Sequence, residues 1–188
     1  QQIEAELIPD SNAIFGQEFH EEASMANHWK FRRSASWEWN IAIDWGGSYH
    51  GLLIAHDRDA DVDIVFDEFI ADGIQDIDFL RMVVSQCKAH WGIQQGDISE
   101  VICDYMPRES CRVAYNFWRG RVRHRRVRDN EDRWSRINTT RWRLLEAATG
   151  KRRLLFAPHL RQTKSKRGIL QCMANYAPVL YSYRNDAT

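Results

Sequence analysis

Trp39-Asn-Ile-Ala-Ile-Asp44-Trp-Gly-Gly-Ser48 is the stretch on which the reading of this chain turns. A short apolar run closes on a carboxylate and then on Gly46-Gly47, the pattern of a buried strand that meets a tight turn. Gly51 to His56 reads as a second strand and Val62 to Phe69 as a third, with the acid-rich turn 57–61 between them. The three make an antiparallel meander. From Asp76 to Trp91, apolar residues at Ile77, Leu80, Val83, Val84 and Cys87 predict an amphipathic helix, and Gly92 suits its C-terminal end. Ile98 to Asp104 is then another apolar strand that closes on an acid. Three meander strands, a crossover helix and a fourth strand predict a mixed α/β sheet in which the fourth strand lies beside the first.

The rest of the chain is read around that unit. A helix is expected over 109–118, with Val113, Phe117 and Trp118 as core candidates. Residues 119–128 alternate valine with arginine and read as an edge strand or a basic loop. Helices are expected over 137–148 and 165–176, with a strand over 154–158 between them. Residues 1–40 are polar, with a short helical-looking stretch from Phe15 followed by Trp29, Arg32 and Arg33, and they read as a linker or strap entering the fold.

Composition sets bounds on function. A chain of 188 residues fits one domain, and no run approaches the roughly 18 apolar residues needed to span a bilayer. The N-terminus lacks a signal-peptide layout and begins without Met, so further sequence is expected upstream. Cys87, Cys103, Cys111 and Cys172 stand at no metal-ligand spacing, which points to a reducing compartment and away from structural zinc. The formal charge is zero, yet residues 1–104 hold 20 acidic and 6 basic residues while residues 105–188 hold 6 and 20. Such a split predicts an acidic site and a polyanion-binding surface in one fold, although the two halves could also simply pair with each other.

Asp44 and Asp104 are the informative pair. If their strands are adjacent and parallel, both carboxylates stand at one sheet edge, where they repel unless a cation lies between them. Mg²⁺ and Mn²⁺ prefer oxygen ligands, and a two-ion site activates water and stabilises the leaving oxygen in phosphodiester cleavage. A third carboxylate is normally needed, and Asp186 is the best candidate. Taken singly, each acid would more simply form a turn or an N-cap. Arg119, Arg121, Arg123, Arg125, Arg126 and Arg128, with a second cluster at Lys164, Lys166 and Arg167, suit phosphate contact without base selectivity. A solvated face or a protein-docking surface is the plainer account of those residues.

The runs Ile41-Ala-Ile-Asp44-Trp-Gly-Gly-Ser48 and Val101-Ile-Cys-Asp104, the meander between them, Ile137-Asn-Thr-Thr-Arg141 and Leu154-Leu-Phe-Ala-Pro158 together resemble the nuclease domain of the large terminase subunit of tailed bacteriophages. Phe15-Gly-Gln-Glu-Phe19 is similar to the segment that joins the packaging ATPase to that nuclease. The resemblance implies a ribonuclease H-like mixed sheet with helices on both faces. It implies two Mg²⁺ or Mn²⁺ ions and endonucleolytic cutting of concatemeric double-stranded DNA with little sequence specificity. It also implies, as partners, an ATPase domain in the same polypeptide, the small terminase subunit and the portal protein, and a location in the host cytoplasm with no membrane. On this reading residues 1–36 are a linker from a missing ATPase domain, and 37–188 are a nuclease domain truncated at its C-terminus. Carried over by position, Asp44 and Asp104 are metal ligands and catalytic residues. Asp186 is either the third ligand or the residue that leads to it. Where some relatives carry an extra carboxylate, this chain has Ser48, Tyr49 and His50, and His50 could position water or contact phosphate, although a satisfied turn histidine is the simpler account.

Two other families share parts of the pattern. Asp-Trp-Gly-Gly-Ser is similar to the first phosphate loop of the actin and sugar-kinase superfamily, but the second such loop and second domain are missing here. No Gly-x-x-x-x-Gly-Lys-Ser/Thr occurs, so the chain carries no packaging ATPase motif. A resolvase or transposase core would use the same carboxylate logic, and a domain of this fold that binds DNA or the portal without cutting also remains open.

Overall fold

The computed structural model describes residues 14, 15, 17–26, 36–104, 108–125, 130–146, 148–162 and 168–175, with the backbone alone at 104, 124, 125 and 130–134. Six strands form one sheet in the order β5-β4-β1-β2-β3-β6. They are β1 (Trp37–Trp45), β2 (Tyr49–Asp57), β3 (Val62–Ala71), β4 (Ile98–Asp104), β5 (Val122–Arg125) and β6 (Leu154–Phe156). The helices are α1 (Glu21–Ser24), α2 (Asp76–Trp91), α3 (Arg108–Phe117), α4 (Asn130–Leu144) and α5 (Ile169–Asn175).

The meander is antiparallel, β1 to β2 and β2 to β3, while β4 runs parallel to β1, β5 parallel to β4 and β6 parallel to β3. The expected mixed sheet is thus present, with the fourth strand beside the first. Strict alternation in β1 explains why the sheet carries helices on both faces. Trp39, Ile41, Ile43 and Trp45 are buried on one face, in a core shared with Leu53, Val101 and Cys103 and with Phe79, Leu80, Val83 and Cys87 of α2 and Cys111 and Ala114 of α3. Glu38, Asn40, Ala42 and Asp44 fall on the other face because side chains alternate along a strand. That second face has its own core, in which Val65, Ile137 and Leu144 of α4, Phe156, Leu160, and Leu170 and Met173 of α5 pack together. Each buried Leu, Ile, Val or Phe contributes about 1.5–3 kcal/mol of transfer free energy, so both helical layers are held chiefly by these apolar stripes.

The ends of α2 follow from its sequence. Gly92 takes a left-handed φ of 66°, its N–H donates to the Lys88 carbonyl, and the Ile93 N–H donates to the Cys87 carbonyl. Only glycine adopts that conformation without a Cβ penalty. Elsewhere the boundaries shift. α4 begins seven residues before the expected start and ends at Leu144, and the stretch 165–176 is helical over Ile169–Asn175 only. The ambiguous basic stretch contains an edge strand, β5, and the helical-looking segment after Phe15 resolves into a turn followed by the short α1.

Residues 14, 15 and 17–26 are built into the fold. Ile14, Phe15 and Phe19 are buried in the second core, and the Ala26 N–H donates to the Phe156 carbonyl at 2.8 Å. The Arg152 guanidinium fastens this segment by donating to the Glu18 carbonyl, the Ser24 hydroxyl and the Leu144 carbonyl. Apolar side chains at 14, 15 and 19 thus join the second core ahead of residue 37. No helix among the described residues is long and apolar enough to cross a membrane.

Candidate active site

β1 and β4 end side by side. Their parallel register pairs Ala42 with Ile102 and Ile43 with Cys103, and β5 extends it by pairing Ile102 with Arg123 and Asp104 with Arg125. One step beyond Ile43 and Cys103, backbone positions 44 and 104 come level at the same edge. On the other side of β1, Asp44 is the Cα partner of His50. The topology thus places the backbone of positions 44, 50 and 104 at one edge of the sheet.

Asp44 opens into a cleft of about 400 Å³, lined by Ala42, Ile43, Asp44, His50, Leu52, Ile102, Cys103, Arg136 and Ile169. Its floor is the sheet and its walls come from α4 and α5. Asp44 is exposed and has no hydrogen-bond or ion-pair partner among the described residues. Its neighbours in the hairpin behave differently. Ser48 Oγ donates to Asp72, and the Tyr49 hydroxyl donates to Asp76, a bond that also raises the Tyr49 pKa above its ordinary value. These bonds tie the Gly46-Gly47 turn to the loop before α2 and keep Asp44 at a fixed edge. An acid left open while adjacent polar groups are tied down is suited to a cation.

Carboxylates projecting from those two positions to one side of the edge would make a hard oxygen donor set of the kind that suits Mg²⁺ or Mn²⁺. Asp44 fits that requirement directly, and position 104 fits it by backbone placement. Among the described residues no three His, Cys, Asp or Glu side chains form a group that could hold a metal ion by themselves. Asp186, like Arg126, Arg128, Lys164, Lys166 and Arg167, lies outside the described residues.

The described arginines divide by what they touch. Arg121 Nη1 donates to the Gly96 and Ile98 carbonyls at 3.1 and 2.9 Å, which commits that side chain to holding the β4 entry. Arg123 is 71% exposed and pairs with Glu100 at 2.8 Å on the edge strand. Arg119 sits in the turn after α3 with a φ of 51°. Arg125 closes β5 opposite position 104.

Two site residues were not legible beforehand. Arg136 reaches the cleft because α4 starts earlier than its apolar spacing implies. Glu68 lies within β3, its side chain 3% exposed, with Oε2 accepting the Ile169 N–H at 2.7 Å and lying 3.5 Å from His50 Nε2. The sequence offered little signal for it, because β3 also carries Asp63 and Asp67. Its neighbour Asp67 points to the opposite face and accepts from the Trp91 indole N–H at 2.7 Å.

No family model and no curated protein sequence matches this chain. Among solved structures, the large terminase of the thermophilic bacteriophage D6E is similar over 80% of this chain and 34% of its own, with a TM-score of 0.58 and 12% identity. The nuclease domain of the P22 large terminase is similar over 79% of this chain and 73% of its own, with a TM-score of 0.54 and 16% identity. The large terminase nuclease of thermophilic phage G20c, solved with bound magnesium, is similar over 79% and 76%, with a TM-score of 0.52 and 11% identity. The chain spans about a third of the length of the D6E large terminase. At these identities the likeness shows the fold, and the fold expected from the sequence resemblance, that of large terminase nuclease domains, is the one this chain adopts.

Proposed function

We propose that this chain is a metal-dependent endonuclease domain of a phage DNA-packaging terminase, which cuts concatemeric double-stranded DNA with little sequence specificity. The observation that carries the reading is Asp44: an open carboxylate at a strand end, without a partner among the described residues, level with the end of β4 and facing a cleft. Its support from outside the chain is the shared fold, together with the magnesium bound to the G20c nuclease.

Two Mg²⁺ or Mn²⁺ ions, when bound, would supply Lewis acidity at the phosphoryl group and at the attacking water. Asp44 and Asp104 would hold them, with Asp186 as third ligand. Arg123 and Arg125, on the edge strand next to β4, and Arg136, in the cleft wall, would take DNA phosphates by charge-assisted hydrogen bonds. Arg119, Arg126, Lys164 and Lys166 extend that surface in the same proposal. An ATPase domain in the same polypeptide would deliver the DNA, the small terminase subunit and portal would be the remaining partners, and the host cytoplasm would be the site of action.

Nicking of supercoiled plasmid with Mn²⁺ tests the proposal. Wild-type chain should nick, and Asp44→Ala and Asp104→Ala should not. Metal-independent DNA binding with no metal-stimulated cutting, in this chain and in one extended to include an ATPase domain, would leave a non-catalytic DNA-binding domain as the better description.

A further inference from the structure

His50 faces Asp44 across the β1–β2 ladder, and a buried carboxylate stands behind it. Glu68 is the Cα partner of Leu52, two residues along β2 from His50, so its carboxylate approaches the imidazole diagonally on the cleft face. Its Oε2 is fixed by the Ile169 N–H at 2.7 Å and lies 3.5 Å from His50 Nε2, a buried ring nitrogen that makes no hydrogen bond among the described residues. A carboxylate beside one ring nitrogen draws the N–H of a neutral imidazole to that nitrogen and leaves a lone pair on the other. With the N–H on Nε2, facing Glu68, the lone pair belongs to Nδ1. A lone pair repels phosphate oxygens and attracts cations, which favours metal ligation over the phosphate contact that an Nδ1–H could make.

We propose that His50 is a nitrogen ligand, through Nδ1, to a divalent cation held at Asp44, and that Glu68 is the positioning residue that sets its ring. The inference rests on the metal-dependent reading above and deepens it. Imidazole suits transition ions better than Mg²⁺, so the site prefers Mn²⁺. The backbone bond from Ile169 to Glu68 also makes the placement of α5 part of the site.

The test uses Mn²⁺ alone, added to the 188-residue chain without DNA and followed by electron paramagnetic resonance. Wild-type protein should show spin-echo modulation from a coordinated ¹⁴N, and His50→Gln should lose it. Glu68→Gln, whose amide oxygen can still accept the Ile169 N–H, should weaken Mn²⁺ binding about 10–100-fold, as loss of a carboxylate behind a ligating histidine does. Metal-free thermal unfolding of both variants separates this effect from misfolding. Mn²⁺ binding that depends on Asp44 but shows no nitrogen modulation, or modulation that persists in His50→Gln, overturns the role of His50 and leaves the metal site standing. Glu68→Gln binding Mn²⁺ as wild type overturns the role of Glu68. Absence of any Asp44-dependent Mn²⁺ binding overturns the metal-dependent reading itself.

Discussion

Asp44 and His50 are Cα partners in the β1–β2 ladder and line one cleft, yet only His50 is backed by a buried group, Glu68. The open side of the pair is the acid. A carboxylate held on a rigid strand without a partner contributes little to folding, since exposed unpaired groups usually change stability by no more than about 0.5 kcal/mol when removed.

Asp44→Ala should therefore separate stability from activity. Its thermal midpoint should match wild type by calorimetry, while Mn²⁺-dependent nicking falls by about a thousandfold or more, the rate equivalent of several kcal/mol of lost transition-state stabilisation. A large drop in midpoint would make the acid structural and remove the main support for the site.

The close approach of α2 to the meander depends on Gly51. A Cβ at that position would lie 3.2 Å from Phe79 Cζ and 3.4 Å from Phe69 Cδ2, and both rings are buried. The Phe79 ring would have to shift by a few tenths of an ångström within the core to admit it. Gly51→Ala should destabilise by about 1–3 kcal/mol, the usual range for overpacking, and urea unfolding should show it as a lower midpoint at unchanged slope. Because Phe79 packs against Trp45 and Tyr49, the strain should reach the hairpin that carries Asp44 and lower Mn²⁺ affinity as well.

Much of the architecture was legible because its signals are local. The apolar run from Trp39 to Asp44, helical spacing through Leu80, Val83 and Cys87, and Gly92 as a stop each state one element without reference to the rest. The adjacency of β1 and β4 followed from connection rules. The second face was harder. α4 carries few apolar residues before Ile137, so its first turns look polar, and Arg136 was hidden with them. Glu68 was missed because a buried acid becomes meaningful only through its neighbours, here a histidine on the next strand and a backbone N–H some hundred positions away. The arginine alternation predicted an edge strand as one option but could not separate Arg121, which is engaged by backbone carbonyls, from Arg123.

His159 should make stability depend on pH. It packs against Trp91 with ring centroids 4.8 Å apart, and burial lowers its pKa despite the opposing effects of Asp67, the Phe66 carbonyl and Glu68. With the folded pKa below the ordinary value of about 6.5, the unfolded chain binds the proton more readily. Stability is thus fully present above that value and is lost as pH falls through the lower folded-state pKa. Thermal midpoints measured from pH 7.5 downward should decline, and His159→Phe should flatten the part of the decline that begins near pH 6.5. An unchanged profile in the variant would assign the acid sensitivity to other groups.

Arg121 and Arg123 should separate structure from DNA binding, although only two positions divide them. Arg121 donates to two backbone carbonyls at the β4 entry, so Arg121→Ala should cost about 0.5–1.5 kcal/mol of stability, the side chain being exposed enough for water to replace part of what is lost. Arg123 is an exposed partner of Glu100, a pair of a kind worth at most about 1 kcal/mol, so Arg123→Ala should unfold at nearly the wild-type temperature. Its loss should instead appear in DNA affinity. If the edge strand meets phosphates, the slope of log affinity against log salt should fall by about one contact in Arg123→Ala. A fluorescence-anisotropy titration of a random-sequence duplex at several salt concentrations measures it. An unchanged slope would mean that the edge strand serves protein docking, because a guanidinium that releases no counterions is not touching the DNA backbone.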